Sequence, residues 1–209
     1  MNVALPRGVV GVIRTTRPDH ALTVARGWIR AGVPGVEITL TVPDAESVIA
    51  QVAAEGGARV GAGTVLDPAR VASCVAAGAA YIVSPDTCAE VVAEAVRLGV
   101  PVVPGAMTPS EMSTAVRLGA AAVKVFPVAM LGGPAFLHAV LEPMPHLSVV
   151  ASGGVRVEQV EDYLKAGAAA VCLSKELILA DAVERGDVDG VAEFAASVLE
   201  STGVSAVDM

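Results

Sequence analysis

The chain has 209 residues, of which 54 % are hydrophobic and 17 % charged, a balance that excludes a disordered chain and allows one large core without disulfides. Aromatic residues make up only 3 %, so Ala, Val, Leu and Ile must fill the core, as in buried parallel strands covered by Ala-rich helices. The net charge is −8 and the 14 Lys and Arg residues do not cluster, which argues against nucleic acid or an anionic membrane as a partner.

Short β-branched runs and amphipathic stretches alternate along the chain. The apolar runs recur every 20 to 27 residues and start near Val9, Val36, Arg59, Ala80, Val102, Ala122, Ser148 and Ala170. The stretches between them have helical periodicity and cover Pro18–Ala31, Pro43–Glu55, Pro68–Ala77, Thr87–Leu98, Pro109–Leu118, Pro134–Leu141, Val157–Lys165 and about Val188–Leu199. Most stretches open with proline and close with glycine, as helices commonly do.

This alternation predicts βα units joined by right-handed crossovers. Eight evenly spaced units with short connections favour an α/β fold, a single-domain (β/α)8 TIM barrel over residues 1–209. A doubly wound open sheet uses the same local units and is the alternative. No linker or change of composition divides the chain.

Strands two and six each carry a charged residue that should face the barrel lumen. In Val36-Glu37-Ile38-Thr39-Leu40 the apolar residues should face the helices, which leaves Glu37 and Thr39 toward the lumen as candidate site residues. In strand six, Lys124 and Phe126 share a face. Burial frees a lysine amine as a nucleophile, and a nearby carboxylate can move protons. The alternative is a structural ion pair, with Lys124 reaching solvent beside Glu37.

Residues that follow the strands are further candidates, because barrel active sites lie at the C-terminal ends of strands. Strand one ends at Arg14, which is either a clamp for carboxylate or phosphate or an exposed surface arginine. Strand three ends in Gly61-Ala62-Gly63-Thr64, and strand four in Ser84-Pro85-Asp86. Ser152-Gly153-Gly154 follows strand seven, where barrels often bind phosphate on backbone N–H groups.

In their order and spacing, these segments resemble the class I aldolases that cleave 2-keto-3-deoxy-6-phosphogluconate and 4-hydroxy-2-oxoglutarate. The resemblance covers roughly Val9 to Leu179. The matching segments are Val36-Glu37-Ile38-Thr39-Leu40, Gly61-Ala62-Gly63-Thr64-Val65-Leu66, Ser84-Pro85, Pro104-Gly105, Val123-Lys124-Val125-Phe126-Pro127 and Ser152-Gly153-Gly154-Val155.

The resemblance implies a Schiff-base lyase that releases pyruvate and an aldehyde such as glyceraldehyde 3-phosphate. Lys124 would bond to the keto carbon of the substrate, and the resulting iminium would accept the electrons of the broken C3–C4 bond. Glu37 would relay protons through a water. The implied substrate contacts are Thr64, Pro85 and Phe126 around the pyruvyl end, and Ser152, Gly153 and Gly154 around the distal phosphate or distal polar end.

Two positions depart from the family pattern. Many members hold the substrate carboxylate with an arginine just after the strand-two threonine–leucine pair, where this chain has Thr41. Arg14, at the end of the adjacent strand, is predicted to supply that clamp. Relatives also have a Gly-Ser pair after strand eight, where this chain reads Ser174-Lys175-Glu176. Glu176 would repel a phosphate and Lys175 would offset it, so Ser174 and Lys175 are candidate contacts, and both phosphorylated and non-phosphorylated substrates stay open.

The resemblance implies a homotrimer with no cofactor, no metal and a small 2-keto acid as substrate. Three scattered cysteines, no signal peptide and no long apolar run predict a cytoplasmic protein. Two other functions stay open. One is a Schiff-base dehydratase that uses the same lysine, and the other is a non-catalytic ligand-binding barrel in which Lys124 and Glu37 only form an ion pair.

Overall fold

The computed structural model describes residues 5–203, which form a barrel of parallel strands. The strands are β1 Gly8–Ile13, β2 Gly35–Thr39, β3 Arg59–Gly63, β4 Tyr81–Val83, β5 in two segments Val102–Val103 and Gly105–Ala106, β6 Val123–Val125, β7 Val149–Ala151 and β8 Ala170–Leu173. The pairing order is β5-β4-β3-β2-β1-β8-β7-β6-β5, with one segment of β5 at each end. The predicted single domain also includes residues 1–4 and 204–209, which lie outside the described residues.

The barrel closes at β5, which Pro104 divides. The first segment pairs with β4 through Val102 and Ile82, and the second pairs with β6 through Gly105 and Lys124. Pro104 has no N–H to give to a ladder, but its carbonyl accepts a hydrogen bond from the Lys124 N–H at 2.9 Å. The row of strands therefore begins and ends on the same strand, which confirms the predicted barrel and excludes the open sheet.

Helices separate the strands and cover the barrel. They are α1 Pro18–Arg30, α2 Ala45–Glu55, α3 Pro68–Ala76, α4 Ala89–Arg97, α5 Pro109–Leu118, α6 Pro134–Leu141, α7 Val160–Lys165, α8 Ala180–Glu184 and α9 Val188–Ser201. The sequence placed the start of α2 too early, because Asp44 adopts a left-handed φ of 52° just before it. It missed α8, whose five residues are too few for a periodic pattern. Within residues 5–203, no helix is long and apolar enough to cross a membrane.

Glycines on β3 make room for larger side chains in the lumen. A Cβ on Gly61 would lie 2.2 Å from the ring of Tyr81, and a Cβ on Gly63 would lie 2.1 Å from Oε1 of Glu37. Val36 and Ile38, which alternate with Glu37, pack into the core between strands and helices. The predicted orientation of β2 is therefore confirmed, and β3 provides the space that Glu37 occupies.

Trp28 of α1 fixes the loop that follows β8. Its indole is buried, and Nε1 donates a hydrogen bond to the carbonyl of Leu177 at 2.9 Å. Leu177 ends a short 3-10 turn, Lys175–Leu177. Because the turn is tied to α1, the side chains of Lys175 and Glu176 are held at the C-terminal mouth of the barrel.

Candidate active site

Lys124 and Glu37 meet inside the barrel. Nζ of Lys124, on β6, lies 3.5 Å from Oε1 of Glu37, on β2. Their side chains are only 9 % and 2 % exposed, so water screens the pair little. The amine therefore has a base beside it and is shielded from bulk solvent, an arrangement that suits a nucleophile assisted by proton transfer.

A cavity of about 440 Å³ opens above Lys124 at the C-terminal ends of the strands; we call it the upper cavity. Phe126 forms part of its wall, and Nζ of Lys124 lies 5.5 Å from the centre of that ring. Most of the predicted site residues line it, namely Arg14, Lys124, Phe126, Ser152, Gly153, Gly154, Ser174 and Lys175. Side chains and loops from distant parts of the sequence therefore converge on one amine.

Four other predicted site residues do not line the upper cavity. Glu37 lies on its lumen side behind Lys124, and Thr64 adjoins it through Arg14. Pro85 lines a neighbouring cavity of about 590 Å³ that shares Phe126. Thr39 is fully buried, and its hydroxyl donates to the Ile13 carbonyl at 3.0 Å. This hydrogen bond ties β2 to β1, and the contact of Thr39 with substrate stays a prediction.

Arg14 contacts Thr41, the position at which the resembled family pattern has an arginine. Its Nη1 donates to Oγ1 of Thr41 at 2.8 Å, and its Nη2 donates to Oγ1 of Thr64 at 3.0 Å. Thr64 has a φ of 58°, a strained conformation for a β-branched residue. The two threonines hold the guanidinium at the rim of the upper cavity, where its remaining donors suit a carboxylate.

If Arg14 is the carboxylate clamp that the sequence predicts, Arg14→Ala should raise the KM for the keto acid by roughly 10- to 100-fold and change kcat less, because charge-assisted hydrogen bonds are lost. Steady-state kinetics measure this. Arg97→Ala is the matched control, since Arg97 is exposed on α4 and pairs with Glu94. A KM for Arg14→Ala equal to that of the control would contradict the assignment.

The loop after β7 lines the upper cavity with Gly153 and Gly154. Gly153 has a φ of 89°, and a Cβ there would lie 2.8 Å from the Phe126 ring, so only glycine fits. Among residues 5–203, neither Gly153 nor Gly154 donates its N–H to another protein group. A 3-10 turn, Val157–Gln159, comes between this loop and α7, so the helix predicted from Val157 begins three residues later.

The loop after β8 brings the predicted negative charge into the upper cavity. Oε2 of Glu176 accepts a hydrogen bond from the Ser174 N–H at 3.0 Å, and the Ser174 hydroxyl donates to the Val12 carbonyl at 2.6 Å. One N–H that an anionic ligand could use is therefore taken by a carboxylate. Lys175 lines the same cavity and is exposed.

Cys172 faces the lumen beside Lys124, but it does not compete as a nucleophile. Burial raises the pKa of the Cys172 thiol to about 11, against the opposing effects of the Lys124 charge and a hydrogen bond with Ser152. The group is therefore a neutral thiol near neutral pH. Within residues 5–203, no cluster of three or more His, Cys, Asp or Glu side chains could hold a metal.

Comparison with known proteins decides the family. The model of the family described as "Aldolase: KDPG and KHG aldolase" matches residues 3–194. The chain belongs to the KDPG and KHG aldolase family. It is therefore an aldolase, an enzyme of the lyase class, and the resemblance inferred from the sequence is confirmed.

Individual family members are similar over nearly their whole length. The chain is 38 % identical to the 2-dehydro-3-deoxy-6-phosphogalactonate aldolase of Escherichia coli K12 over 181 residues, covering 85 % of this chain and 88 % of the relative. A structure titled "Native KDPGal structure" superposes with a TM-score of 0.85 at 34 % identity, covering 100 % of both chains. The KDPG aldolase of Legionella pneumophila, solved with pyruvate as a covalent carbinolamine, has a TM-score of 0.84 at 26 % identity, covering 94 % of this chain and 96 % of that one.

Proposed function

We propose that the aldolase cleaves a 2-keto-3-deoxy sugar acid with a phosphorylated distal end, giving pyruvate and an aldehyde such as glyceraldehyde 3-phosphate. The observation that carries this proposal is the buried pair beside the upper cavity, in which the Lys124 amine lies 3.5 Å from the Glu37 carboxylate. The carbinolamine with pyruvate in the Legionella pneumophila relative supports the same chemistry.

The reaction begins when the Lys124 amine, as its free base, attacks the keto carbon. Loss of water from the carbinolamine gives an iminium, which acts as an electron sink. The C4 hydroxyl loses its proton to a base, the C3–C4 bond breaks, and its electrons enter the iminium to give an enamine and the aldehyde. Protonation at C3 and hydrolysis then release pyruvate and regenerate the amine. Glu37, acting through a water, accepts and returns these protons.

Different residues of the upper cavity are proposed to bind the two ends of the substrate. Arg14 binds the carboxylate next to the keto carbon, and the N–H groups of Gly153 and Gly154 bind the phosphate together with Lys175. Glu176 also lines this cavity and accepts a hydrogen bond from the Ser174 N–H. A phosphate must therefore displace the Glu176 carboxylate from the Ser174 N–H or bind beside it.

Glu176→Gln should raise kcat/KM for the phosphorylated acid about 3- to 10-fold, because a like charge near the phosphate is removed. The rate for the matching non-phosphorylated acid should change little, so the ratio of the two values is the measurement. An unchanged ratio would show that Glu176 does not face the phosphate. If the wild-type enzyme has the higher kcat/KM for the non-phosphorylated acid, the result would support a non-phosphorylated substrate, the alternative that the sequence left open.

Product analysis with a series of 2-keto-3-deoxy acids tests the proposed function. We expect pyruvate and an aldehyde in equal amounts. A Schiff-base dehydratase would release water and no aldehyde. Absence of any turnover, with the protein folded and binding the acids, would favour the non-catalytic binding barrel.

We also propose that the enzyme is a homotrimer and works in the cytoplasm. The family resemblance supports the trimer, and large apolar side chains are exposed in the segments that follow β3, β5 and β6, with Leu66 57 %, Met107 45 % and Met130 78 % exposed. Light scattering should give a mass three times that of one chain. A cytoplasmic location fits the cysteines, because the cytosol keeps thiols reduced and Cys74, Cys88 and Cys172 are all free thiols.

A further inference from the structure

A second, smaller cavity lies in the barrel lumen on the far side of Lys124 and Glu37; we call it the lower cavity. Its volume is about 20 Å³, enough for one water molecule. Leu5 and Pro6 are among the residues that enclose it. Its polar lining comes from Glu37, Tyr81, Lys124 and Cys172.

Tyr81 reaches across the lumen from β4 toward β2. Strand register places Glu37, Gly61 and Tyr81 in one row across β2, β3 and β4. The Tyr81 ring covers Gly61, and its hydroxyl lies 3.5 Å from the position of a Cβ on Gly35. Gly35 and Glu37 are two residues apart on β2 and share its lumen face, so the phenol points at the strand that carries the carboxylate.

Two polar atoms in this region lack hydrogen-bond partners. Among residues 5–203, the Tyr81 hydroxyl and Oε1 of Glu37 are both buried and unpaired, apart from the 3.5 Å contact of Oε1 with Lys124. Buried polar atoms almost always have a hydrogen-bond partner, which is often an enclosed water. Burial, with added repulsion from Glu37 and Cys172, raises the pKa of Tyr81 well above its ordinary value. The hydroxyl therefore remains protonated and able to donate.

We propose that Tyr81 is a positioning residue for Glu37, donating to one water in the lower cavity that in turn donates to Oε1. This rests on the proposed role of Glu37 in proton transfer. A hydrogen bond donated to a carboxylate favours its ionised form, and it would orient Oε1 in the lumen. The other titratable groups facing the carboxylate are Lys124 from β6 and Cys172 from β8, and the second is a neutral thiol.

The kinetic test is Tyr81→Phe, which removes only the hydroxyl. The matched control is Tyr163→Phe, since Tyr163 is the other tyrosine of the chain and its hydroxyl is also buried and unpaired among residues 5–203, on α7 outside the barrel. For Tyr81→Phe we expect the acidic limb of the pH profile of kcat/KM to move to higher pH. On that limb, kcat/KM should fall about 3- to 10-fold. The control should follow the wild type. A Tyr81→Phe profile that also follows the wild type would overturn the proposal.

A second measurement decides the role of Tyr81 without turnover. In protein labelled with 13C at the glutamate carboxyls, Glu37→Gln assigns the Glu37 signal, which is then titrated in the wild type and in Tyr81→Phe. We expect the Glu37 titration to move to higher pH in the variant. An unchanged curve would reject the proposal even in an active enzyme. If the wild type instead formed no lysine adduct with pyruvate, the proposed function would fail while this titration still reported on Tyr81.

Discussion

Glu37→Gln is expected to lower kcat/KM by about 10²- to 10⁴-fold, the usual contribution of a positioned general acid–base group. Glutamine has the same shape and fits the space beside Gly63, but it cannot accept or release protons at neutral pH. The Lys124 amine stays in place, so borohydride should still trap pyruvate on it, more slowly. Steady-state kinetics and timed trapping measure the two effects.

The control for this variant is Glu176→Gln, which makes the same chemical change at a carboxylate that lines the upper cavity. Its kcat/KM should be equal to or greater than that of the wild type. If Glu37→Gln lost less than tenfold in kcat/KM while folded, Glu37 would be only the structural partner of Lys124, and another group would have to move the protons.

Lys124→Arg is expected to lower kcat/KM by roughly 10⁴-fold or more, as removal of a covalent nucleophile does. Arginine keeps a positive charge beside Glu37, so the ion pair and the fold should survive. It remains protonated at any pH used for assays and cannot form the imine. Circular dichroism checks folding, and release of pyruvate measures activity.

Lys175→Arg is the matched control, because Lys175 also lines the upper cavity and the substitution is the same. It should keep most of the activity, since a guanidinium can still pair with a phosphate. Retained activity in Lys124→Arg, or lost activity in Lys175→Arg, would contradict the assignment of Lys124. Either result would indicate that Lys175 is the nucleophile.

The periodicity of the sequence predicted the fold and the inward orientation of Glu37 and Lys124. The recurrence of short apolar runs predicted the barrel, and the two-residue alternation in Val36–Leu40 directed Glu37 inward. The same alternation placed Lys124 and Phe126 on one face. These predictions held because burial on both sides of a barrel strand imposes the pattern directly on the sequence.

Contacts between distant strands could not be predicted in this way. The space that Tyr81 fills depends on Gly61 of the next strand and Gly35 of the one beyond, which no local pattern encodes. The hydroxyl of Thr39 faces inward as expected but is engaged by the Ile13 carbonyl. The closure at Pro104 likewise depends on hydrogen bonds from β4 and β6 to one interrupted strand.

The most direct test is borohydride reduction in the presence of pyruvate, followed by mass spectrometry of the peptides. The chain has three lysines, Lys124, Lys165 and Lys175, so the site of modification can be assigned without ambiguity. The proposed mechanism predicts one reduced pyruvyl group on the Lys124 peptide and none on the other two. An adduct on Lys175, or no adduct on folded protein in excess pyruvate, would contradict it.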